Sequence, residues 1–530
     1  MRFGYSRAVI SIVLFSLAGL WPSFATGQTR TRGNALPGSP TYLPTKENPV
    51  GWRGDGTGRY PAADPPTVWG RRKTDNGFEA KNIIWAARMP AVSVATPIIV
   101  GDRIFATAEV NDLVCIDKKT GRILWIRSNS EFEGLSDEDR KAAPELGQTT
   151  VPLIAEMASA NDEMVAACNA GDNKKIDALA DKKKDLDKHM YEALLKVNKK
   201  KFNRDWAQAV FGFSGPTPTS DGKHVFVFYT TGVVACYDLD GKRKWIDRGH
   251  GDGSEHGNFA SPLLIANRLV VWGGEMRGYD ADSGKIVFNN PGKKGNTYGS
   301  LFRIKAGNEW VAGFQSGYFT RISDGKPIWG DQIFGDCVPT PIVENGMIFT
   351  WLGYPRGNHE KIGFKAFPII PATNESELKS AYMFKIDWND DELPEDKKLH
   401  PFDRSYTASP LYVDGLIYQL TQGGGLTVND AATGDLVYRK VLKLHPFTEY
   451  WNWAGASACP TLAGKYIYLM DNQGATIVIK PGRNYVEVAQ NMIENPTDGK
   501  HQDQNLATPI FEGARMYYRT RRELLCIGTK

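Results

Sequence analysis

The sequence predicts an all-β protein: an eight-bladed β-propeller with a helical insertion between blades one and two. Three observations predict it, namely a phrase that returns eight times, a turn that closes most copies, and one helical stretch that interrupts them. The phrase begins with a small or hydroxyl residue plus Pro, then an apolar strand, a short turn and a second strand. Its clearest copy opens at Thr96-Pro97, runs through Ile98–Val100 and Ile104–Ala106, continues with Leu113–Asp117, and closes on Thr120-Gly121 and Trp125. These stretches alternate, are rich in β-branched and aromatic residues, and are punctuated by Gly or Pro, so they read as strands and not helices.

The opening recurs at Thr217-Pro218, Ser261-Pro262, Thr340-Pro341, Ser409-Pro410, Cys459-Pro460 and Thr508-Pro509, with Ser300-Leu301 filling the gap. Pro218 and Pro262 lie 44 residues apart, Pro410 and Pro460 lie 50 apart, and Pro460 and Pro509 lie 49 apart. Spacings of this size with several short strands each are the signature of propeller blades. The closing turn places Gly121, Gly241, Gly284, Gly325 and Gly434 four residues before Trp125, Trp245, Phe288, Trp329 and Tyr438. A tight hairpin loop needs one residue at positive φ, which Gly supplies, and the aromatic then opens an outer strand that fills the wedge to the next blade. The eighth copy reaches the C-terminus before an outer strand can form. Ile83-Ile84-Trp85 has the composition to supply it, which would join the two ends of the chain in one blade and remove an open sheet edge.

Composition is that of a globular protein, 41% hydrophobic and 23% charged, and a net charge of +4 is too balanced to argue for nucleic acid. Residues 1–25 read as a signal peptide: Arg2 and Arg7, an apolar run from Ala8 to Trp21, then Ser23-Phe24-Ala25 as a cleavage site. The run is short for a membrane span, so the mature chain is expected to have none. Residues 26–82 read as a lead-in segment and linker, and 83–530 as the propeller. Six Cys in an exported chain invite a disulfide reading, but Cys115, Cys236 and Cys526 fall at one equivalent repeat position, where a small buried residue is the simpler explanation. There is no Cys-Cys pair and no Cys-x-x-Cys, which removes c-type haem attachment and the common zinc spacings.

Two stretches exceed the repeat. Between Pro97 and Pro218 there are about 75 residues more than a blade needs, and 128–213 reads as largely helical. Ala155–Asn169 is one helix, Gly171-Asp172 a break, and Asn173–Lys201 a second helix with Ile176, Leu179, Leu186, Met190, Leu194 and Val197 on one stripe. This is a helical hairpin lying on the propeller, or an arm for docking a partner. Residues 354–400, rich in Pro and then in charge, read as a loop insertion on one face.

The phrase Leu-x-Cys-Ile-Asp-x-x-Thr-Gly-x-x-x-Trp at 113–125 resembles the repeat of pyrroloquinoline-quinone-type propellers (PQQ-like repeats). That group includes quinoprotein alcohol dehydrogenases and BamB-type outer-membrane assembly proteins. The resemblance covers about Ile83 to Gly528 outside the two insertions, and Trp52-Arg53-Gly54 resembles the leader of exported bacterial members. It implies the fold strongly and the activity weakly. The dehydrogenases carry a vicinal Cys pair over the quinone, a Glu/Asn/Asp calcium site and an Asp base, and none of these can be placed here residue by residue.

In a propeller the segments just before each opening phrase surround one mouth of the central channel, a concave place for a ligand. The candidates there are His250, Asp252, Glu255, His256, Asp336, Arg404, Tyr406, Trp451, Trp453 and His501. His250-x-Asp-x-x-Glu-His256 is the strongest polar cluster and has the donor types of a transition-metal site, yet Gly249, Gly251, Gly253 and Gly257 make it a flexible loop and no metal signature matches, so an ordinary hydrogen-bonded loop and no metal is expected. Trp451 and Trp453 share one face of an extended segment and either stack a planar ligand or sugar or pack a blade junction. The expectation is therefore a monomeric, non-catalytic binding scaffold without cofactor, exported to the periplasm, cell envelope or medium, with an envelope protein as partner. The alternative is a PQQ-dependent oxidoreductase of an alcohol or sugar that uses the quinone with calcium.

Overall fold

Eight sheets run through the described residues: six are built from strands consecutive in sequence and paired antiparallel, one takes its fourth strand from earlier in the chain, and one gains three earlier strands. The computed structural model describes residues 35–204, 212–249, 259–291, 298–335, 337–352, 363–384, 408–445, 456–494 and 505–529. The first sheet is Ile98–Val100, Arg103–Ala108, Asp112–Asp117 and Ile123–Ser128, in that order. The second repeats it with Thr219–Ser220, His224–Phe228, Val233–Asp238 and Arg243–Arg248. In the last sheet Glu523–Gly528 pairs with Ile83–Arg88, setting Cys526 opposite Trp85, so the two ends of the chain share one sheet as the sequence predicts.

The closing glycines have a second reason to be glycine. A Cβ on Gly121 would lie 2.6 Å from the Trp85 ring, one on Gly241 2.9 Å from Trp125, one on Gly284 2.6 Å from Trp245, and one on Gly325 2.5 Å from Phe288. Each sheet's aromatic thus lies beneath the turn of the next. Across the strand pair the same aromatics face Cys115, Cys236, Gly278 and Cys526, with a register shift immediately after each. A small residue is needed there because the ring crosses the sheet at that point; the Cβ that Gly278 lacks would lie 2.2 Å from Phe288. All six cysteines are free.

The fourth sheet departs from the pattern. It has three strands, Phe302–Ala306, Glu309–Gly313 and Phe319–Arg321, and Trp329 does not open an outer strand. Pro327 lacks an N–H for the ladder and makes only an isolated bridge to Thr320, while Trp329 sits at φ 61°. Its ring is buried and its indole N–H donates to the Pro371 carbonyl at 2.9 Å. Residues after the fifth sheet's third strand, Gly363–Pro368, therefore cover this edge.

The cores lie between successive sheets, and one of them joins Tyr468, Tyr517 and Ile104 from the seventh, eighth and first. A polar belt runs the same way. The Thr217 N–H donates to Ser261 Oγ at 3.0 Å, Ser261 to Ser300 at 3.3 Å, and Ser300 to Thr340 at 2.7 Å. Thr340 donates to Ser409 at 2.8 Å, Ser409 to Cys459 Sγ at 3.3 Å, Cys459 to Thr508 at 3.1 Å, and Thr508 to Thr96 at 3.2 Å. These are the residues that open the eight phrases, Ser300 and Cys459 included.

Residues 36–69 form a strap across the inner strands. Val50 pairs with Ser220 of the second sheet, and Arg59–Tyr60 runs parallel to Leu462–Ala463 of the seventh. Between them Arg53, 2% exposed, donates to the Pro410 and Pro460 carbonyls at 2.8 and 2.9 Å. Further on, Gly70–Thr74 and Gly77–Lys81 extend the seventh sheet from its outer edge.

Between the first and second sheets stand three helices: α1 (Asp137–Ala142), α2 (Leu146–Ala170) and α3 (Asn173–Phe202). The break falls at Gly171, in the left-handed region, and Asp172 caps α3 through the Lys175 N–H. Ile176, Leu179, Leu186, Met190 and Leu194 are buried, as the stripe predicts. Helix α2 starts nine residues before the predicted Ala155, because Pro152 inside it reads as a breaker in sequence but is accommodated within the helix. No described helix is long and apolar enough to cross a membrane.

Candidate functional site

Inside the belt lies a cavity of about 180 Å3. Its wall is the belt itself together with residues two positions upstream of it, such as Val94, Phe259, Tyr298, Val338 and Leu506, and Trp52 of the strap. Upstream residues lie on the opposite side, where the sequence places the channel mouth. His250, Asp252, Glu255, His256, Asp336, Arg404, Tyr406, Trp451, Trp453 and His501 all fall outside the described residues.

Sequence reasoning missed the hairpin tips that stand at the same end. Glu109 follows Arg103–Ala108 and accepts from the Phe213 N–H at 2.9 Å and from the Ser214 N–H at 2.8 Å and its hydroxyl at 2.5 Å. Burial outweighs these bonds and pushes its carboxyl up to about 7. The equivalent tip of the seventh sheet carries Asp471, fully buried, which takes the Gln473, Gly474 and Ala475 N–H groups at 2.9 Å on one oxygen and that of His445 at 2.9 Å on the other. Burial again raises its carboxyl against those bonds. The signal was present in the Asp471-Asn472-Gln473-Gly474 turn, whose glycine at φ 107° marks a hairpin, but a turn alone does not distinguish a buried acid from a solvated one.

A second and larger concavity, about 1440 Å3, lies between the helical arm and the edge of the first two sheets. Its walls are tied together by buried charge. Lys183 of α3, 5% exposed, meets Asp112 of the first sheet and Asn161 Oδ1 of α2 at 2.5 Å. Ser128 Oγ donates to the other Asp112 oxygen at 2.5 Å. Past the C-terminus of α3, Arg204 reaches Glu131 and Asp187, and from the second sheet Arg248 reaches Glu131 and Arg243 reaches Glu133. Burial opposes the Arg204 charge, but the two carboxylates overcome it and raise its pKa. Met157, Met164 and Met190 supply apolar wall. Among the described residues no group of three His, Cys, Asp or Glu side chains is placed to hold a metal ion.

The family model described as "Outer membrane protein assembly factor BamB" matches residues 77–178. No curated protein matches. Solved structures similar to this chain include BamB from Moraxella catarrhalis, 11% identical over 84% of this chain and 97% of that one at a TM-score of 0.47. The computationally designed Ika8 protein is 10% identical over 83% and 98%, with a TM-score of 0.44. A quinohemoprotein alcohol dehydrogenase, ADHIIG from Pseudomonas putida HK5, is 12% identical over 84% and 76%, with a TM-score of 0.46. On its repeats and its family match, the chain resembles the BamB-type propellers of PQQ-like repeats.

Proposed function

We propose that this protein is an exported, non-catalytic, eight-bladed propeller of PQQ-like repeats that binds a protein partner in the bacterial envelope. The observation that carries this reading is the groove under the helical arm. At about 1440 Å3 it exceeds the usual 300–1,000 Å3 of a small-molecule pocket and suits a segment of another chain. Its walls are held by buried ion pairs, so little ordering entropy opposes docking. The matching family model, which covers the first sheet and most of the arm, points the same way.

The test places a photocrosslinking residue at Ala158, which lines the groove, and at Val287, an exposed site on the third sheet. Cells expressing each variant are irradiated. A discrete adduct at Ala158 that is absent at Val287 supports the reading. Adducts at neither site, or equally at both, overturn it. A parallel titration with pyrroloquinoline quinone and calcium decides the competing oxidoreductase reading: saturable micromolar binding with dye reduction would replace the scaffold.

A further inference from the structure

The central cavity lies outside the proposed docking groove, and nothing in the scaffold reading uses it. We propose that it is a binding site for a small, uncharged, single-ring compound carrying a hydrogen-bond acceptor, such as an aromatic ketone or aldehyde. The proposal does not rest on the scaffold reading.

Size sets the first limit. A buried apolar cavity of about 150 Å3 takes benzene, and this one measures about 180 Å3. Trp52 lines it from the strap, with the Arg53 guanidinium 5.4 Å from the centroid of its ring. The indole offers a flat apolar surface. Phe259 and Tyr298, with ring centroids 6.3 Å apart, give the wall an aromatic side, and Val338 and Leu506 add aliphatic contacts.

Hydrogen-bonding character sets the second limit. Seven of the eight belt side chains already accept a neighbour's N–H, so their oxygen or sulfur is engaged as an acceptor. Their O–H bonds are another matter. Only Ser261 donates onward, to the Phe259 carbonyl at 3.5 Å; Ser300, Thr340, Ser409, Thr508 and Thr96 show no donated bond among the described residues. Ser457 Oγ, buried on the cavity wall, has no hydrogen-bond partner among the described residues. The wall thus offers donors to an acceptor atom. Among the described residues every lining side chain is uncharged, so none of them offers an anion a counter-charge.

The test uses the full mature protein with acetophenone as neutral probe and benzoate as its charged counterpart, followed by ligand-observed NMR and calorimetry. The expected result is saturable acetophenone binding in the micromolar to low millimolar range, with benzoate at least tenfold weaker. Val338→Phe, which fills the cavity, should abolish acetophenone binding. Ser457→Ala removes a donor that no described residue uses, so it should leave thermal stability unchanged and weaken acetophenone severalfold. No saturable acetophenone binding, equal binding of benzoate, or wild-type affinity in Val338→Phe would each overturn the proposal and leave a cavity that holds only water. If Val338→Phe does not fold, Ser457→Ala alone decides: unchanged affinity overturns the proposal. The crosslinking result at Ala158 has no bearing on any of these readouts.

Discussion

Arg53 and Glu109 show how single residues do work that their neighbours in sequence do not announce. Arg53 is a buried cation whose two described partners are backbone carbonyls, and burial lowers its pKa. Arg53→Met keeps the length of the side chain but leaves the Pro410 and Pro460 carbonyls unpaired, at about 1–3 kcal/mol. The expected outcome is a lower urea midpoint and faster proteolysis within residues 36–69. Glu109 carries a pH dependence whose sign follows from its raised pKa. Folding favours its protonated form, so its contribution is complete below the ordinary value of 4.5 and is lost as pH rises through about 7. Between pH 4.5 and 7.5 wild type should lose roughly 2–3 kcal/mol that Glu109→Gln does not. Urea melts of the two proteins at both pH values check this, and parallel slopes would assign the titration elsewhere. Neither residue's role is legible in the sequence. Arg53 meets partners hundreds of positions away, and Glu109 is one more polar residue in a turn until Phe213 and Ser214 close over it.

Among elements, the arm gives the clearest contrast between pattern and placement. The α3 stripe is visible because helix periodicity is local, and the Gly171-Asp172 break is visible because a left-handed residue and an N-cap have residue preferences. Lys183 is not: it lies in a run of three lysines that reads as a solvated face, yet it is the one that turns inward to Asp112. Lys183→Met leaves Asp112 buried without its cation, a loss of about 3–5 kcal/mol. Hydrogen exchange in α2 and α3 should rise, and adding Asp112→Asn should restore much of the protection because it removes the stranded charge. The fourth sheet teaches the opposite lesson. The Gly325–Trp329 spacing predicts an outer strand, and Pro327 overrides it by withholding one N–H.

For the whole molecule, the repeat made the eight sheets readable, since every copy carries its own opening residue and most carry the closing glycine and aromatic. Even the imperfect openings, Ser300-Leu301 and Cys459-Pro460, take their places in the belt. What repetition cannot convey is which surfaces face each other across the centre. The strap and the helical arm both come from chain outside the repeat. A chain beginning at residue 90 lacks both the strap and Ile83–Arg88, and so exposes the edge of Glu523–Gly528. Such an edge invites pairing with another copy. Size-exclusion chromatography with light scattering should show a larger mass than that of the full chain, and adding a peptide of residues 36–89 should restore the full chain's elution.

The shared sheet also orders events in time. Ile83–Arg88 leaves the ribosome 435 residues before its partner strand begins at Glu523. Through all of that interval the early strand lacks this partner, and no product that stops before Glu523 can finish the sheet. A nonsense codon just ahead of Glu523 would leave the other seven sheets encoded and this closure missing.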